Sequence, residues 1–175
     1  MRLLFCLIIP ILIISFSLGS CSRHSDAWAK LNAAEAILDD QPETALSLLQ
    51  SIDTSKLSGE DEKARYALLT LCSLDDNRIR LTDTVMAASA VEYYSRKGTP
   101  EQIMKSLLFQ GRTFRYLGKD EDAMTSYIKA LEPKNQVADS LLVASLLVGQ
   151  GHIYNELYNH NDSVKFEVFQ PWLSR

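Results

Sequence analysis

The 175-residue chain lacks the residues and motifs on which most enzyme and disulfide-rich classes depend. Three cysteines argue against a disulfide framework, and Cys72, in an apolar run, is expected to be a small buried hydrophobe. There is no Gly-rich phosphate loop, His-Glu-x-x-His, Gly-x-Ser-x-Gly or Cys-x-x-Cys, and His152, His160 and Asp162 have the spacing of no standard metal site. We therefore expect no enzyme activity, cofactor or metal, and the net charge of −4 argues against nucleic acid as a partner.

The sequence also lacks an apolar run long enough for a permanent transmembrane helix. Residues 3–18 are uncharged and apolar, but they fall short of the ~20 residues that a bilayer requires and include Pro10. Arg2 precedes this run, and the small residues Gly19 and Ser20 follow it, which is the arrangement of an export signal. We therefore expect residues 1–20 to be a signal peptide.

The end of this signal, Leu18-Gly19-Ser20-Cys21, resembles the lipobox of bacterial lipoproteins. The resemblance implies that Cys21 becomes the first mature residue and carries acyl chains, palmitate among them, with residues 21–26 as a tether. Several chains, at roughly 0.8 kcal/mol per buried methylene, would make the anchor effectively permanent. The implied location is the envelope of a Gram-negative-type bacterium, on the outer membrane facing the periplasm. The alternative is an ordinary signal peptidase, which would leave Cys21 a free thiol.

From residue 27 onward, apolar residues recur every three or four positions, which predicts amphipathic helices and an all-α fold. Thr99, Pro100 and Gln102 predict a helix start with a capping box, and Gly98 and Gly118 are expected to close helices in the left-handed conformation. Turn-forming residues predict breaks between helices at 39–42, 58–59, 75–77, 98–100, 118–119, 132–133 and 159–161. The pattern predicts alternating helices joined by tight turns.

Two stretches, residues 107–118 and 147–158, share one pattern: Leu, three residues, Gly, two residues, an aromatic, two residues and a final apolar position. The residues that carry it are Leu107, Gly111, Phe114, Ala123, Tyr127 and Ala130 in the first unit, and Gly151 and Tyr154 in the second. In type and order they resemble the signature of the tetratricopeptide repeat. The resemblance implies a right-handed solenoid of antiparallel helix pairs, an α-α superhelix of about four hairpins with the last one degenerate or incomplete. Gly111 and Ala123 are expected where two helices cross closely, with Phe114, Tyr127 and Ala130 filling the space beside them.

The resemblance divides the mature chain into degenerate hairpins at 27–98, a repeat unit at 99–137 and a partial unit with a tail at 138–175. Gly111 and Gly151 are 40 positions apart against about 34 in the family, and a longer turn or an extended helix around 135–138 would absorb the difference. Because no polar capping helix is evident at the end, one hypothesis is a truncated array. The alternative is that Phe166, Phe169 and Trp172 fold back as a cap.

A basic strip is predicted on the helix that begins at Pro100, where Lys105, Leu108, Arg112 and Arg115 follow at intervals of three, four and three. By the resemblance, these positions face the concave groove in which the family binds peptides. The matching positions in the next unit are Ser145, Val148, His152 and Asn155. Such a groove would accept acidic side chains or a terminal carboxylate. The alternative is a solvated face that binds nothing.

Together these features favour a lipid-anchored, non-catalytic scaffold that binds other proteins or peptides, acidic segments among them, and is held on the membrane by its acyl chains. One alternative is the N-terminal sensing part of a longer repeat-containing signalling or transcription regulator. A second is an outer-membrane glycan-binding lipoprotein with a similar helical scaffold. The second would need exposed aromatic platforms in long loops, where this sequence has short turns.

Overall fold

The computed structural model describes residues 21–159, and side-chain burial for residues 26–156. This part of the chain contains seven α-helices and no strand, which confirms the predicted all-α class. The helices are α1 Cys21–Ile37, α2 Pro42–Gln50, α3 Glu60–Asp76, α4 Thr84–Lys97, α5 Pro100–Tyr116, α6 Asp120–Ala130 and α7 Ser140–Asn159. Short 3-10 turns lie at Thr54–Lys56 and Lys134–Gln136. Among the described residues, no helix is long and apolar enough to cross a bilayer.

Six of the seven predicted breaks lie at junctions between successive helices. The seventh, at 159–161, begins at the last residue of α7 and otherwise lies outside the described residues. Three of the connections are longer than the tight turns we expected. They comprise residues 51–59, 77–83 and 131–139. The first two carry apolar side chains that are buried in the core: Ile52 and Leu57 in one and Leu81 in the other. Burial of these side chains holds the connections against the helices. The turn-forming residues in the sequence give no sign of this contact. The connection at 131–139 contains the 3-10 turn Lys134–Gln136, in the region where we expected a longer turn or an extended helix.

Both ends of α5 have specific hydrogen bonds. At its start, Thr99 Oγ1 accepts from the Gln102 amide at 3.3 Å, and Gln102 Oε1 accepts from the Thr99 amide at 2.9 Å, so the predicted capping box is confirmed. At its end, Gly118 has a φ of 71°, as predicted. Gly98 differs from the prediction: its φ is −83°, because the chain there is extended as it enters the Thr99 cap.

Helix α3 ends in the same way as α5, although it has no glycine there. The Gly118 amide donates to Arg115 O and the Lys119 amide to Phe114 O; 40 positions earlier, the Arg78 amide donates to Asp75 O and the Ile79 amide to Leu74 O. These pairs of bonds define a Schellman motif. Arg78 adopts a φ of 59° to make it, a conformation that costs a non-glycine residue roughly 1–2 kcal/mol.

The buried apolar residues form three successive clusters, each built on one hairpin and completed by the next odd-numbered helix. The α1–α2 cluster includes Leu69 from α3, and the α3–α4 cluster includes Phe109 from α5. The α5–α6 cluster includes Leu142, Leu146 and Ile153 from α7. Each hairpin therefore depends on its successor to cover its apolar face.

The odd-numbered helices also contact one another in sequence. Besides its neighbours along the chain, α1 contacts α3, α3 contacts α5, and α5 contacts α7. Helices α3, α5 and α7 begin at Glu60, Pro100 and Ser140, which are 40 positions apart. A single 40-residue offset therefore relates equivalent positions on these three helices.

Candidate functional site: a groove along the odd-numbered helices

The odd-numbered helices bring several predicted groove residues to one cavity of about 400 Å³, which we call the arginine cavity. Arg112 and Arg115 contribute from α5, and Val148 and His152 contribute from α7. Its full lining is Asp75, Arg80, Arg112, Arg115, Tyr116, Tyr127, Val148, Gly149, His152 and Glu156. Helices α5 and α7 therefore share this cavity.

The arginines of this cavity are ion-paired across successive helices. Arg112 of α5 pairs with Asp75 of α3, and Arg115 of α5 pairs with Glu156 of α7 at 2.9 Å. Burial raises the pKa of Asp75, and the Arg112 guanidinium partly offsets that effect. The two pairs connect three odd-numbered helices, so the strip has a structural role in addition to its exposure to the cavity.

The prediction was a basic strip, and it did not include these ion pairs. Lys105 is also paired, with Glu101 one turn earlier on α5 at 2.6 Å. Leu108 is buried in the core and does not line the arginine cavity, because its side chain packs in the α5–α6 cluster. Sequence spacing grouped Leu108 with the strip, but position on a helix does not fix how far a neighbouring helix covers a side chain.

Arg80 is a cation of the arginine cavity that the sequence analysis did not identify. It lies in the connection after α3, donates to Tyr116 O at 3.0 Å and stacks over the Tyr116 ring at 5.5 Å. It forms no ion pair with a carboxylate among residues 26–156. No helical spacing could place it, because its position depends on the left-handed turn at Arg78.

A second cavity, of about 330 Å³, lies beside the first on the odd-numbered helices, and we call it the acidic cavity. Its charged lining residues are Glu35, Asp39, Arg65, Glu101 and Lys105. Apolar surface comes from Leu38, Leu68, Leu69, Cys72 and Tyr94. Lys105 lines this cavity and Arg112 the first, and seven positions on α5 separate them by about 10 Å.

The 40-residue offset explains why α3 takes part in both cavities. It relates Lys105, Leu108, Arg112 and Arg115 of α5 to Arg65, Leu68, Cys72 and Asp75 of α3, in that order. All four α3 residues line one of the two cavities. These residues could not be identified from the sequence, because the upstream register could not be fixed without the helix starts.

The close crossing predicted at Gly111 centres on the buried ring of Tyr127. A Cβ atom added to Gly111 would lie 2.3 Å from Cε1 of Tyr127, and one added to Gly149 of α7 would lie 2.8 Å from Cε2 and Cζ. The ring therefore fits between two helix backbones, α5 on one edge and α7 on the other. Ala123 and Ala130 of α6 are fully buried in the same cluster as Tyr127, and Leu107 and Phe114 of α5 pack there too.

The repeat residues of α7 have a less complete environment. A Cβ atom at Gly151 would meet nothing within 4 Å, and Tyr154 is half-buried against the α5–α6 cluster. The helix that would pair with α7 would come after residue 159, which is outside the described residues, as are His160 and Asp162. Asn155 is exposed and does not line the arginine cavity. Among residues 21–159, no group of three or more His, Cys, Asp or Glu side chains could hold a metal ion.

No family model, curated protein or solved structure matches this chain.

A third cavity, of about 820 Å³, opens between α4 and α6 over α5. Val91, Ile103, Leu107 and Phe114 give it apolar surface, and mixed polar side chains from α6 and the following turn surround them. It brings together none of the predicted groove residues.

Proposed function

We propose that this protein is a membrane-tethered repeat scaffold that binds segments of other proteins in the groove along its odd-numbered helices. The proposed architecture is a right-handed solenoid of tetratricopeptide-like hairpins. Three observations support it: the sequential contacts between odd-numbered helices, the core clusters that each need the next hairpin, and the 40-residue offset of the helix starts. In a closed helical bundle, such contacts would not be expected to recur at a constant offset along the chain.

The observation that carries the binding function is that two adjacent cavities occur where the strip positions of α3, α5 and α7 meet. Together they provide exposed apolar surface, such as Val148, beside guanidinium groups that can make charge-assisted hydrogen bonds. Paired arginines still have unused donors, because each guanidinium has five N–H groups. A carboxylate can therefore join an existing pair without first breaking it.

The tether in this proposal is a set of acyl chains on Cys21. This residue begins α1, so residues 21–26, which we expected to form a tether, are part of the first helix. Metabolic labelling with a palmitate analogue tests the attachment: the wild type should be labelled and recovered with membranes, and Cys21→Ser should lose both properties. Label on the Cys21→Ser variant would contradict the assignment.

A photocrosslinking experiment tests the binding surface. A photoreactive residue replaces Val148, which is 57% exposed and lines the arginine cavity, or Val85 of α4, which is 77% exposed and lies outside both cavities. In membranes from the native host we expect defined adducts from position 148 but not from position 85. Adducts from position 148 should fall in an Arg112→Gln, Arg115→Gln background whose fold is checked by circular dichroism. Equal adducts from both positions would contradict a specific groove.

A further inference from the structure

The two groove cavities have opposite charge balances. In the arginine cavity three arginines face two carboxylates, Asp75 and Glu156. In the acidic cavity three carboxylates face two cations, Arg65 and Lys105. The groove is thus polarised along its length, with its cationic part towards α7 and its anionic part towards α1.

One residue at each cavity carries the excess charge. Arg80 contacts the backbone oxygen and ring of Tyr116 and has no carboxylate partner among the described side chains. Asp39, which follows α1, likewise has no ion pair among residues 26–156. The remaining charged residues of these cavities form the pairs Arg112–Asp75, Arg115–Glu156, Arg65–Glu35 and Lys105–Glu101.

The acidic cavity is shaped for a long cationic side chain. Leu38, Leu68 and Tyr94 contribute apolar atoms along which the methylenes of a lysine or arginine can lie, and the carboxylates of the same lining can pair with its charged end. The neighbouring field is negative as well, since burial, followed by the charges of Asp75 and Asp39, raises the pKa of Asp76.

We propose, resting on the proposed binding function, that the groove takes a mixed-charge peptide segment. A carboxylate of the segment lies in the arginine cavity beside Arg80, and a lysine or arginine lies in the acidic cavity beside Asp39. Lys105 lines the acidic cavity and Arg112 the arginine cavity, and seven positions along α5 separate them by about 10 Å, so we take about 10 Å as the spacing of the two ligand charges. In a segment of polyproline II geometry, residues three apart lie on the same face, and at about 3.1 Å per residue they are about 9 Å apart. The groove therefore selects an acidic and a basic residue separated by two others.

Labelled peptides test this charge pattern by fluorescence anisotropy at low ionic strength, where exposed charges are least screened. The probes are four acetylated and amidated hexapeptides with two variable positions three apart: Glu with Arg, two Glu, two Arg, and two Gln. We expect the Glu–Arg peptide to bind about tenfold more tightly than the two-Glu and two-Arg peptides, which each lose one charge-assisted contact. The two-Gln peptide loses both contacts and should bind more weakly still.

Two charge-reversal variants, each with a matched control, test which charge of the peptide lies in which cavity. Arg80→Glu should weaken the Glu–Arg peptide about tenfold and shift preference to the two-Arg peptide, and Asp39→Lys should shift it to the two-Glu peptide. The controls are Lys134→Glu and Asp40→Lys, exposed residues outside both cavities, which should leave the ranking unchanged.

The outcomes separate this proposal from the binding function itself. The proposed preference for a mixed-charge segment is wrong if the two-Glu peptide binds as well as the Glu–Arg peptide, or if no peptide binds at about 1 mM. Photocrosslinking at Val148 tests binding in the groove itself, and its result does not depend on either outcome. If the mixed peptide is preferred but neither reversal changes the ranking, the assignment of the two charges to these cavities is also overturned.

Discussion

The buried ring of Tyr127 provides a sharp test of how these hairpins pack. We expect Gly111→Ala to destabilise the protein, although alanine is normally the better helix former. Inside a helix, replacing glycine by alanine stabilises by about 1 kcal/mol. Here the new methyl group would lie 2.3 Å from Cε1 of Tyr127, and the ring cannot retreat because Gly149 closes its opposite edge. Overpacking costs about 1–3 kcal/mol, and this contact belongs near the upper end, so the net loss should be about 2 kcal/mol.

Two other glycines serve as matched controls on the same scale. Gly149→Ala makes a looser contact, 2.8 Å from the ring, so its overpacking cost should roughly cancel the helix gain or exceed it by about 1 kcal/mol. Gly151→Ala meets no atom within 4 Å and should stabilise by up to about 1 kcal/mol. The melting temperatures should rank Gly151→Ala above wild type, then Gly149→Ala, then Gly111→Ala.

The assay is thermal and urea unfolding followed by circular dichroism, with Tyr127→Leu as the second arm of a double-mutant cycle. Removing the ring should abolish most of the Gly111→Ala penalty, which gives a coupling energy of about 1–2 kcal/mol. If Gly111→Ala proved as stable as Gly151→Ala, or if its penalty persisted with Tyr127→Leu, the account of the crossing would be refuted.

Three further predictions concern other parts of the described structure. Arg78→Gly should stabilise the protein by about 1 kcal/mol in urea unfolding, because it relieves the left-handed backbone after α3; a loss of stability would show that the Arg78 side chain matters more than its backbone. Burial raises the pKa of Tyr127 and of Tyr94 to about 12, so as the pH rises the unfolded chain loses these protons before the folded protein does. The contribution of these tyrosines to the free energy of unfolding should be fully present below about pH 10. Between about pH 10 and 12 the free energy of unfolding should fall by up to ~1.4 kcal/mol per pH unit for each tyrosine. Tyr127→Phe should flatten that decline in urea melts, and an unchanged slope would contradict the assignment. Burial also raises the pKa of the Cys72 thiol, so iodoacetamide should modify it, by mass spectrometry, only as the protein unfolds; rapid labelling of the native protein would contradict its burial.

Local sequence signals predicted much of the helical framework. The capping box at Thr99 and the left-handed Gly118 were predictable because a few neighbouring residues determine them. The class followed from apolar periodicity. The long connections did not follow, because Ile52 and Leu81 are ordered by burial against distant helices, which turn chemistry does not encode.

The groove was only partly predictable, for a related reason. Spacing brought Arg112 and Arg115 to one face, but their ion pairs with Asp75 and Glu156 depend on how adjacent helices are staggered. Gly149, which contacts the Tyr127 ring, is two positions from the glycine that the repeat pattern selected. Its role depends on how α7 packs against the Tyr127 ring of α6, which the repeat pattern does not encode.

The central claim is that the hairpins stack in succession, so that each odd-numbered helix packs against the odd-numbered helices before and after it. Paired cysteines in a Cys72→Ser background, joined by a short bismaleimide, test this most directly. Cysteines are placed at both positions of three ion pairs: Glu35 and Arg65, Asp75 and Arg112, and Arg115 and Glu156. In each pair the two side chains contact each other between successive odd-numbered helices. We predict efficient crosslinking of all three pairs and none between positions 35 and 156. Crosslinking of 35 with 156, as in a closed bundle, would contradict the account.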